Sequence, residues 1–337
     1  MPAVAGIPGP AAYSPEWHRL RLFDPERKER PVVFGASEAA AACNCSPYST
    51  AIQLYMEKRG ELASFADDPK VAKRLRQGHL FEKVILDIYE EETGTTLTRG
   101  LPTFYHPSLS FMAATPDAIE GTVDDCGAGV EAKSSSERMI DRDGGDEDKF
   151  GEDGTDQVPM QYLLQAQHQM AVLGLTVVKL PVLFTNRSVR IYTVQRDEQV
   201  IGPMVEAQRE LAERIVNGEP PEPNWSHQST RKAIRALYGI EPGTSTVLKR
   251  GDRSRWLRLE KAKLRRDAAD KVVDELQNQI LNAMNSAESA TFLGSDIRIK
   301  RVTVRDSIWS PEDIEIATSR QGQVKKKGHE RLKRLAK

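Results

Sequence analysis

Cysteine is scarce in this chain of 337 residues: Cys43, Cys45 and Cys126 are the whole complement. Three thiols cannot close a disulfide set, contain no CxxC pair for zinc, and fall short of the four ligands an iron–sulfur cluster takes, so reduced thiols of a cytosolic protein are expected. Long apolar runs are also missing. No stretch approaches the roughly 20 residues of a membrane-spanning helix, and the N-terminal MPAVAGIPGPAAYSP lacks the basic start and apolar centre of a secretory signal. Net charge is close to absent, at −1. Overall electrostatics therefore do not announce a nucleic-acid ligand, and any phosphate partner must meet a local basic surface or a bound cation.

Charge is present, but segregated. DRDGGDEDKFGEDGTD (141–156) is strongly acidic and reads as a solvated loop; KKKGHERLKRLAK (325–337) is strongly basic and reads as a solubilising tail or a phosphate contact. Residues 1–13, broken by proline and glycine, are expected as a flexible lead-in. A core over 14–225 follows, ending at the proline-rich PPEPNW. Within it, patterns predict helices at 14–22 (capped by Ser14), 36–45, 48–59, 69–93, 158–174 and 197–217. Short strands are predicted at 96–104, 110–114, 117–123 and 128–134, then a hairpin at 177–194 turning at Asn186-Arg187. The helix at 69–93 carries Leu75, Leu80, Val84, Ile85, Ile88 and Tyr89 as its apolar stripe and stops at Gly94. Residues 226–305 read as a helical extension. Its long helix, 252–286, carries Leu257, Leu264, Ala268, Val272, Leu276, Ile280 and Met284, and a hairpin at 290–305 turns at Gly294-Ser295. Residues 306–337 are the basic tail.

The chemistry concentrates in two short stretches, TPDAIEG (115–121) and GVEAKSSS (129–136). In a strand, Glu131 and Lys133 point to one side, Val130 and Ala132 to the other. The short 120–128 connection folds Asp117 back beside them. Two carboxylates facing each other repel, and burying them costs several kcal/mol unless a cation compensates. A hard divalent ion with oxygen ligands suits such a site, magnesium above all, with the Ala132 carbonyl available to complete its shell. Lys133 would orient or help deprotonate the attacking water and stabilise the transition state as a compact cation. A solitary D…ExK also serves as an exposed salt-bridge pattern, so the neighbours matter. Glu82, at the margin of an apolar helix face, is costly without a task and can supply a third carboxylate. Gln161 and Gln165 sit one turn apart on an otherwise apolar helix; they can order water or substrate, or merely bond along the helix surface.

Taken in order, WHRLRL, GASEAAAACNCSPYSTAIQLYMEKRGE, GHLFE, ATPDAIEG, VEAK and YLLQAQHQM resemble the YqaJ-type viral recombinase (lambda exonuclease) family of the PD-(D/E)XK nuclease superfamily, over about residues 14–217. The resemblance implies an α/β restriction-endonuclease-like core, a central mixed sheet flanked by helices, with a C-terminal helical extension. It implies a Mg²⁺-dependent exonuclease, Mn²⁺ as substitute, that digests one strand of linear duplex DNA from its 5′ end, releases 5′-mononucleotides and leaves a 3′ overhang. Carried over by motif, Glu82, Asp117 and Glu131 are metal ligands, Lys133 the catalytic lysine and Gln165 an active-site glutamine. Arg21 and Ser37 match positions that hold the terminal 5′-phosphate; Gln161 is grouped with them as a DNA contact. Implied partners are duplex DNA ends, a single-strand annealing protein of the same phage or prophage, and further copies in a ring-shaped trimer or tetramer. The implied setting is the host cytoplasm, with no membrane.

The chain departs from the family in three places. Ala118 stands where a glycine is usual, DPERKERPVVF lengthens the step before GASE, and the acidic 141–156 segment is expected to lie outside the DNA groove. Two other readings of the same residues remain: a site- or structure-specific endonuclease, which would cut covalently closed circles, and a DNA-binding recombination scaffold without cleavage. An intact Asp117/Glu131/Lys133 set argues against the scaffold.

Overall fold

In the computed structural model, residues 3–11, 14–26, 31–63, 69–135, 150–185, 187–238, 242–293, 298–303 and 330–335 are described. The chain divides into two units, Met1–Glu241 and Pro242–Lys337. The lead-in is not a loose arm throughout, because Ile7–Ala11 forms a strand, β1. α1 (Pro15–Leu20) starts as its cap predicts: Ser14 Oγ accepts from the Trp17 N–H at 3.1 Å. β2 (Phe34–Gly35) runs into a 3-10 turn, Ala36–Glu38, and then α2 (Ala39–Ala42) and α3 (Ala51–Lys58). α4 (Pro69–Thr93) ends at Gly94, whose φ of +68° is cheap only for glycine.

Short strands follow: β3 (Leu97–Arg99), β4 (Pro102–Tyr105), β5 (Met112–Ala114), β6 (Ala118–Gly121), β7 (Cys126–Val130) and β8 (Lys133–Ser135). α5 (Met160–Leu173) leads into the antiparallel pair β9 (Val177–Phe184) and β10 (Val189–Gln195). Of the expected turn between them, Asn186 lies outside the described residues. α6 (Glu198–Asn217), capped by Asp197, and α7 (Thr230–Tyr238) complete the unit.

Two sheets result. One has the order β1-β4-β5-β2; the other has β10-β9-β7-β6-β3, with β8 also pairing β9. The larger sheet is mixed, since β7 and β8 run parallel to β9 while the remaining pairs are antiparallel. α4 covers one part of it, Ile85, Leu86 and Tyr89 packing on Leu97, Ala118, Val130 and Ala132. A separate, larger core joins α5 to β9, α2 and α3 through Leu164, Met170, Val178 and Leu180 among others. Each such aliphatic side chain, fully buried, stabilises the fold by about 1.5–3 kcal/mol.

The stripe expected on α4 is narrower than its spacing suggested. Ile85 and Tyr89 are buried, but Leu80 and Val84 stand exposed, because the sheet reaches only the C-terminal turns of the helix; the Leu75 side chain lies outside the described set. The domain limit also moves. PPEPNW does not end the first unit, which continues to Glu241: α7 packs on α3, burying Thr230 and Ala233, and the Thr230 hydroxyl donates to the Asn224 carbonyl at 2.6 Å.

The second unit holds α8 (Arg250–Met284) and a three-stranded antiparallel sheet of β11 (Ser289–Thr291), β12 (Arg298–Thr303) and β13 (Glu330–Leu335). The hairpin expected over 290–305 is β11–β12, although Gly294-Ser295 falls outside the described residues. Part of the basic tail is therefore strand, β13 pairing with β12. The apolar residues of α8 do not make one buried stripe. Leu257, Leu264, Val272 and Leu276 are exposed and only Met284 is buried, since a four-residue spacing drifts by about 40° per step around a helix. The described cysteines are free, and no described helix is long and apolar enough to cross a membrane.

Candidate active site

Glu131 is 4% exposed and sits where β7 hands over to β8. Instead of one unbroken strand over 128–134, two short segments flank residues 131 and 132, yet the pairing stays in step: Val130 faces Lys179 and Lys133 faces Val182. The Glu131 N–H still donates to the Lys179 carbonyl at 2.9 Å. Alternation therefore holds. Val130 and Ala132 pack against α4, and on the other side the Lys133 ammonium donates to Glu131 Oε1 at 2.6 Å.

Asp117 precedes β6, whose Ala118 faces Val130 across the sheet. Its Oδ2 accepts from the Ala132 N–H at 2.9 Å, a bond only a neighbouring strand end can offer. Burial raises the Asp117 pKa well above the usual carboxylate value, the Glu131 charge adds to this, and Glu82 adds more, outweighing Lys133 and the Ala132 N–H. For Lys133, burial alone would lower the pKa, but Glu131 and Asp117 hold it above the ordinary lysine range.

α5 supplies the other partners of Glu131. Gln165 Nε2 donates to Oε1, and Gln169 Nε2 donates to Oε2 at 2.6 Å. Gln169 is fully buried and its Oε1 meets no donor among the described residues, a costly arrangement kept at the heart of the site. Gln169 is a site residue that the sequence reading passed over. The signal was there: Gln161, Gln165 and Gln169 recur every fourth residue along an apolar helix. Tyr162, on the same helix, places its ring 5.6 Å from the Lys133 ammonium and stacks on Phe150. Gln161 is partly exposed and makes no hydrogen bond with a described residue.

Glu82, on α4, is partly exposed and lies 3.3 Å from His79 Nδ1. It is close enough to raise Asp117, but it belongs to the helix across the sheet from α5. Among the described residues, no three His, Cys, Asp or Glu side chains form a ready-made metal cluster; the oxygens of Glu131 are engaged by Lys133 and the two amides instead. The donor chemistry nonetheless fits a hard divalent cation. Asp117 and Glu131 are oxygen donors whose mutual repulsion such an ion would relieve.

A second cluster gathers Arg21, Ser37, Glu38 and Lys58. Arg21 Nη2 pairs with Glu38 Oε1 at 2.8 Å, and its guanidinium lies 4.4 Å from the centre of the Trp17 ring. Glu38 Oε2 accepts from the Gly35 N–H and from Lys58 Nζ, both at 2.9 Å. Burial would raise the Glu38 pKa, but Arg21 and Lys58 bring it down to about 2; burial brings Lys58 itself down to about 8. Gly35 leaves the guanidinium room, since a Cβ there would come within 3.2–3.3 Å of it and Arg21 would have to shift by a few tenths of an ångström. Ser37 is exposed on the turn beside them. Glu38 and Lys58 were not anticipated: the acid stands inside the GASE stretch, but nothing in sequence brings Lys58 to it.

α5 joins the two clusters. Fully buried His168, between Gln165 and Gln169 in the chain, feels both Glu38 and Arg21. Its Nε2 donates to the Ala113 carbonyl at 3.0 Å, while Nδ1 accepts from Gln208 at 3.1 Å. The two bonds fix the neutral tautomer, and burial pushes the His168 pKa down to about 4.

An aspartate entering one strand, a Glu-x-Lys on its neighbour and a glutamine on the helix above come together on a mixed sheet flanked by helices, a PD-(D/E)XK-like fold. Residues 16–176 match the YqaJ-like viral recombinase domain. The uncharacterised protein YqaJ of Bacillus subtilis (strain 168) is 24% identical over 271 residues, 79% of each chain. Among solved structures, the alkaline exonuclease LHK-Exo of Laribacter hongkongensis superposes with a TM-score of 0.41 at 15% identity, over 61% of this chain and 94% of that one. LHK-Exo in complex with dAMP gives 0.37 at 15% identity, over 57% and 91%.

Proposed function

We propose that the protein is a Mg²⁺-dependent 5′-to-3′ exonuclease on linear duplex DNA that leaves 3′ single-stranded overhangs. The observation carrying this reading is the Asp117–Glu131–Lys133 group, gathered at the start of β6, the β7–β8 junction and the start of β8 beside Gln165 and Gln169 of α5. In this reading Glu82, Asp117, Glu131 and the Ala132 carbonyl hold the divalent ion, Mg²⁺ or Mn²⁺ as substitute. Once bound, that ion supplies an activated water and neutralises charge on the scissile phosphate.

The chain's own groups do the rest. Lys133, held in its protonated form, acts as a fixed cation toward the phosphate rather than as a base at neutral pH. Gln165 and Gln169 keep the Glu131 carboxylate from rotating. Arg21 and Ser37 hold the terminal 5′-phosphate, and Gln161 contacts the DNA. The partners are duplex ends, a single-strand annealing protein of the same phage or prophage that takes up the overhang, and further copies of the chain in a ring-shaped trimer or tetramer.

The test is linear blunt duplex with Mg²⁺, labelled at the 5′ or the 3′ end in separate reactions. Immediate release of 5′ label as mononucleotide with late loss of 3′ label supports the proposal. Cutting of covalently closed circles, or no shortening at all, overturns it.

A further inference from the structure

The chain's net charge of −1 is the residue of two large opposite charges. Pro242–Lys337, the second unit, holds 22 Lys and Arg against 13 Asp and Glu, a net of +9. Met1–Glu241 holds the remaining 26 against 36, a net of −10. The unit carrying the nuclease motif thus repels a polyanion at long range, and the unit without it attracts one.

Within the second unit the basic residues are placed, not merely numerous. Arg250 to Arg266, the first half of α8, holds eight Lys and Arg against two acids, Asp252 and Glu260. Arg255 and Lys263 are neutralised locally by those acids, and Arg266 pairs with Asp267. Arg258, Lys261 and Arg265 make no ion pair with a described residue, are exposed, and recur at a spacing of three and four, which puts them on one helix face. Their steps of three and four residues are about 4.5 and 6 Å at the helical rise, short enough for the three side chains to meet successive backbone phosphates. The sheet adds basic positions: in the β12–β13 register Lys300 pairs with Lys333, and Arg298 and Arg301 also lie on β12.

We propose that the second unit is a sequence-independent binding surface for the DNA phosphate backbone, with Arg258, Lys261 and Arg265 of α8 as its principal contacts. The choice of DNA among polyanions rests on the nuclease reading above. The unit supplies the affinity that an acidic nuclease unit lacks, while the Asp117–Glu131 site supplies the chemistry.

The experiment measures binding of the full chain in EDTA, so that cleavage does not enter, to a blunt duplex with 5′-phosphate, the same duplex with 5′-hydroxyl, and a single strand of equal length, each over a salt series. The variant is Arg258→Ala/Lys261→Ala/Arg265→Ala, exposed positions whose loss should not unfold the helix. A comparison variant, Arg209→Ala/Arg214→Ala, removes two half-buried, ion-paired cations from α6. The slope of log affinity against log salt should become shallower by about 3 in the triple variant, close to 0.9 per phosphate contact. Both duplexes should weaken equally, by tenfold or more, with the α6 variant little changed. Weakening of the single strand alone would support the same phosphate surface and assign it to the product strand. A slope unchanged for all three DNAs overturns the proposal and leaves the face to a protein partner; an equal loss in the α6 variant overturns it too, as an effect of net charge. Mg²⁺-dependent shortening of linear duplex by the unaltered chain is scored separately. If that fails, the nuclease reading falls while the binding result stands.

Discussion

Replacing Lys133 with methionine keeps the length of the side chain and removes its charge. The ammonium is 2.6 Å from Glu131 Oε1 and its side chain is 18% exposed, against 6% for its partner. Breaking a fully buried pair costs about 3–5 kcal/mol; the partial exposure of Lys133 and the two amides left on Glu131 reduce this to about 2 kcal/mol. Lys133 also restrains the Asp117 pKa, so its loss lets that pKa climb further. A carboxyl whose pKa is raised on folding contributes least once pH exceeds its folded value, and stability falls as pH rises from 3.8 through that value. The K133M penalty should therefore grow as pH rises through the raised Asp117 pKa when melting is followed in EDTA. Activity should fall far more than stability, by 10²–10³ or more for a preorganised charge at the reacting phosphate, while duplex binding remains. Turnover within tenfold of the unaltered chain, at full folding, would refute the role given to Lys133.

Gln169→Leu removes a bond to a charged oxygen, worth about 1.5–3 kcal/mol, together with an orphaned oxygen costing about 1–3 kcal/mol. Thermal stability should change little while kcat falls about tenfold, and a stability loss without a kcat change would contradict the assignment. His168 is neutral in the fold with its pKa pushed down to about 4 from 6.5. The stability it supports is complete above pH 6.5 and should decline by about 3 kcal/mol as pH falls toward 4, a decline that urea titrations of His168→Gln should show flattened. Arg21→Ala should lower the preference for 5′-phosphoryl over 5′-hydroxyl ends at least tenfold in competitive digestion, and an unaltered ratio would reject Arg21 as the end contact.

Much of the site was legible locally because its chemistry is written at short range. Strand alternation alone puts Glu131 and Lys133 on one side and Val130 and Ala132 on the other, and the pairing of β7 and β8 with β9 keeps that geometry across a break in the strand. Ser14, Gly94, Gly174 and Gly218 mark helix ends through their own backbone and capping preferences. What depends on residues far apart was not legible. The exposure of Leu80 and Val84 follows from how far the sheet extends under α4, which no helical periodicity encodes. The strand character of Ile7–Ala11 comes from β4, nearly a hundred residues away, and the extension of the first unit past PPEPNW comes from α7 docking on α3.

From its order of residues alone, then, this protein determines which side chains can do chemistry: an aspartate before a strand, Glu-x-Lys on the next, glutamines on an apolar helix, and acid and base sorted to opposite ends. Tertiary structure decided the partnerships. Gln169 closes on Glu131, Lys58 and Arg21 both reach Glu38, Glu82 approaches Asp117 from the helix across the sheet, and +9 is gathered into a unit of its own. The reason is physical. Hydrogen bonds and ion pairs act over a few ångströms of space, whereas sequence patterns specify neighbours only within one turn or one strand, so a contact between α3 and the Ala36–Glu38 turn exists only once packing has brought them together.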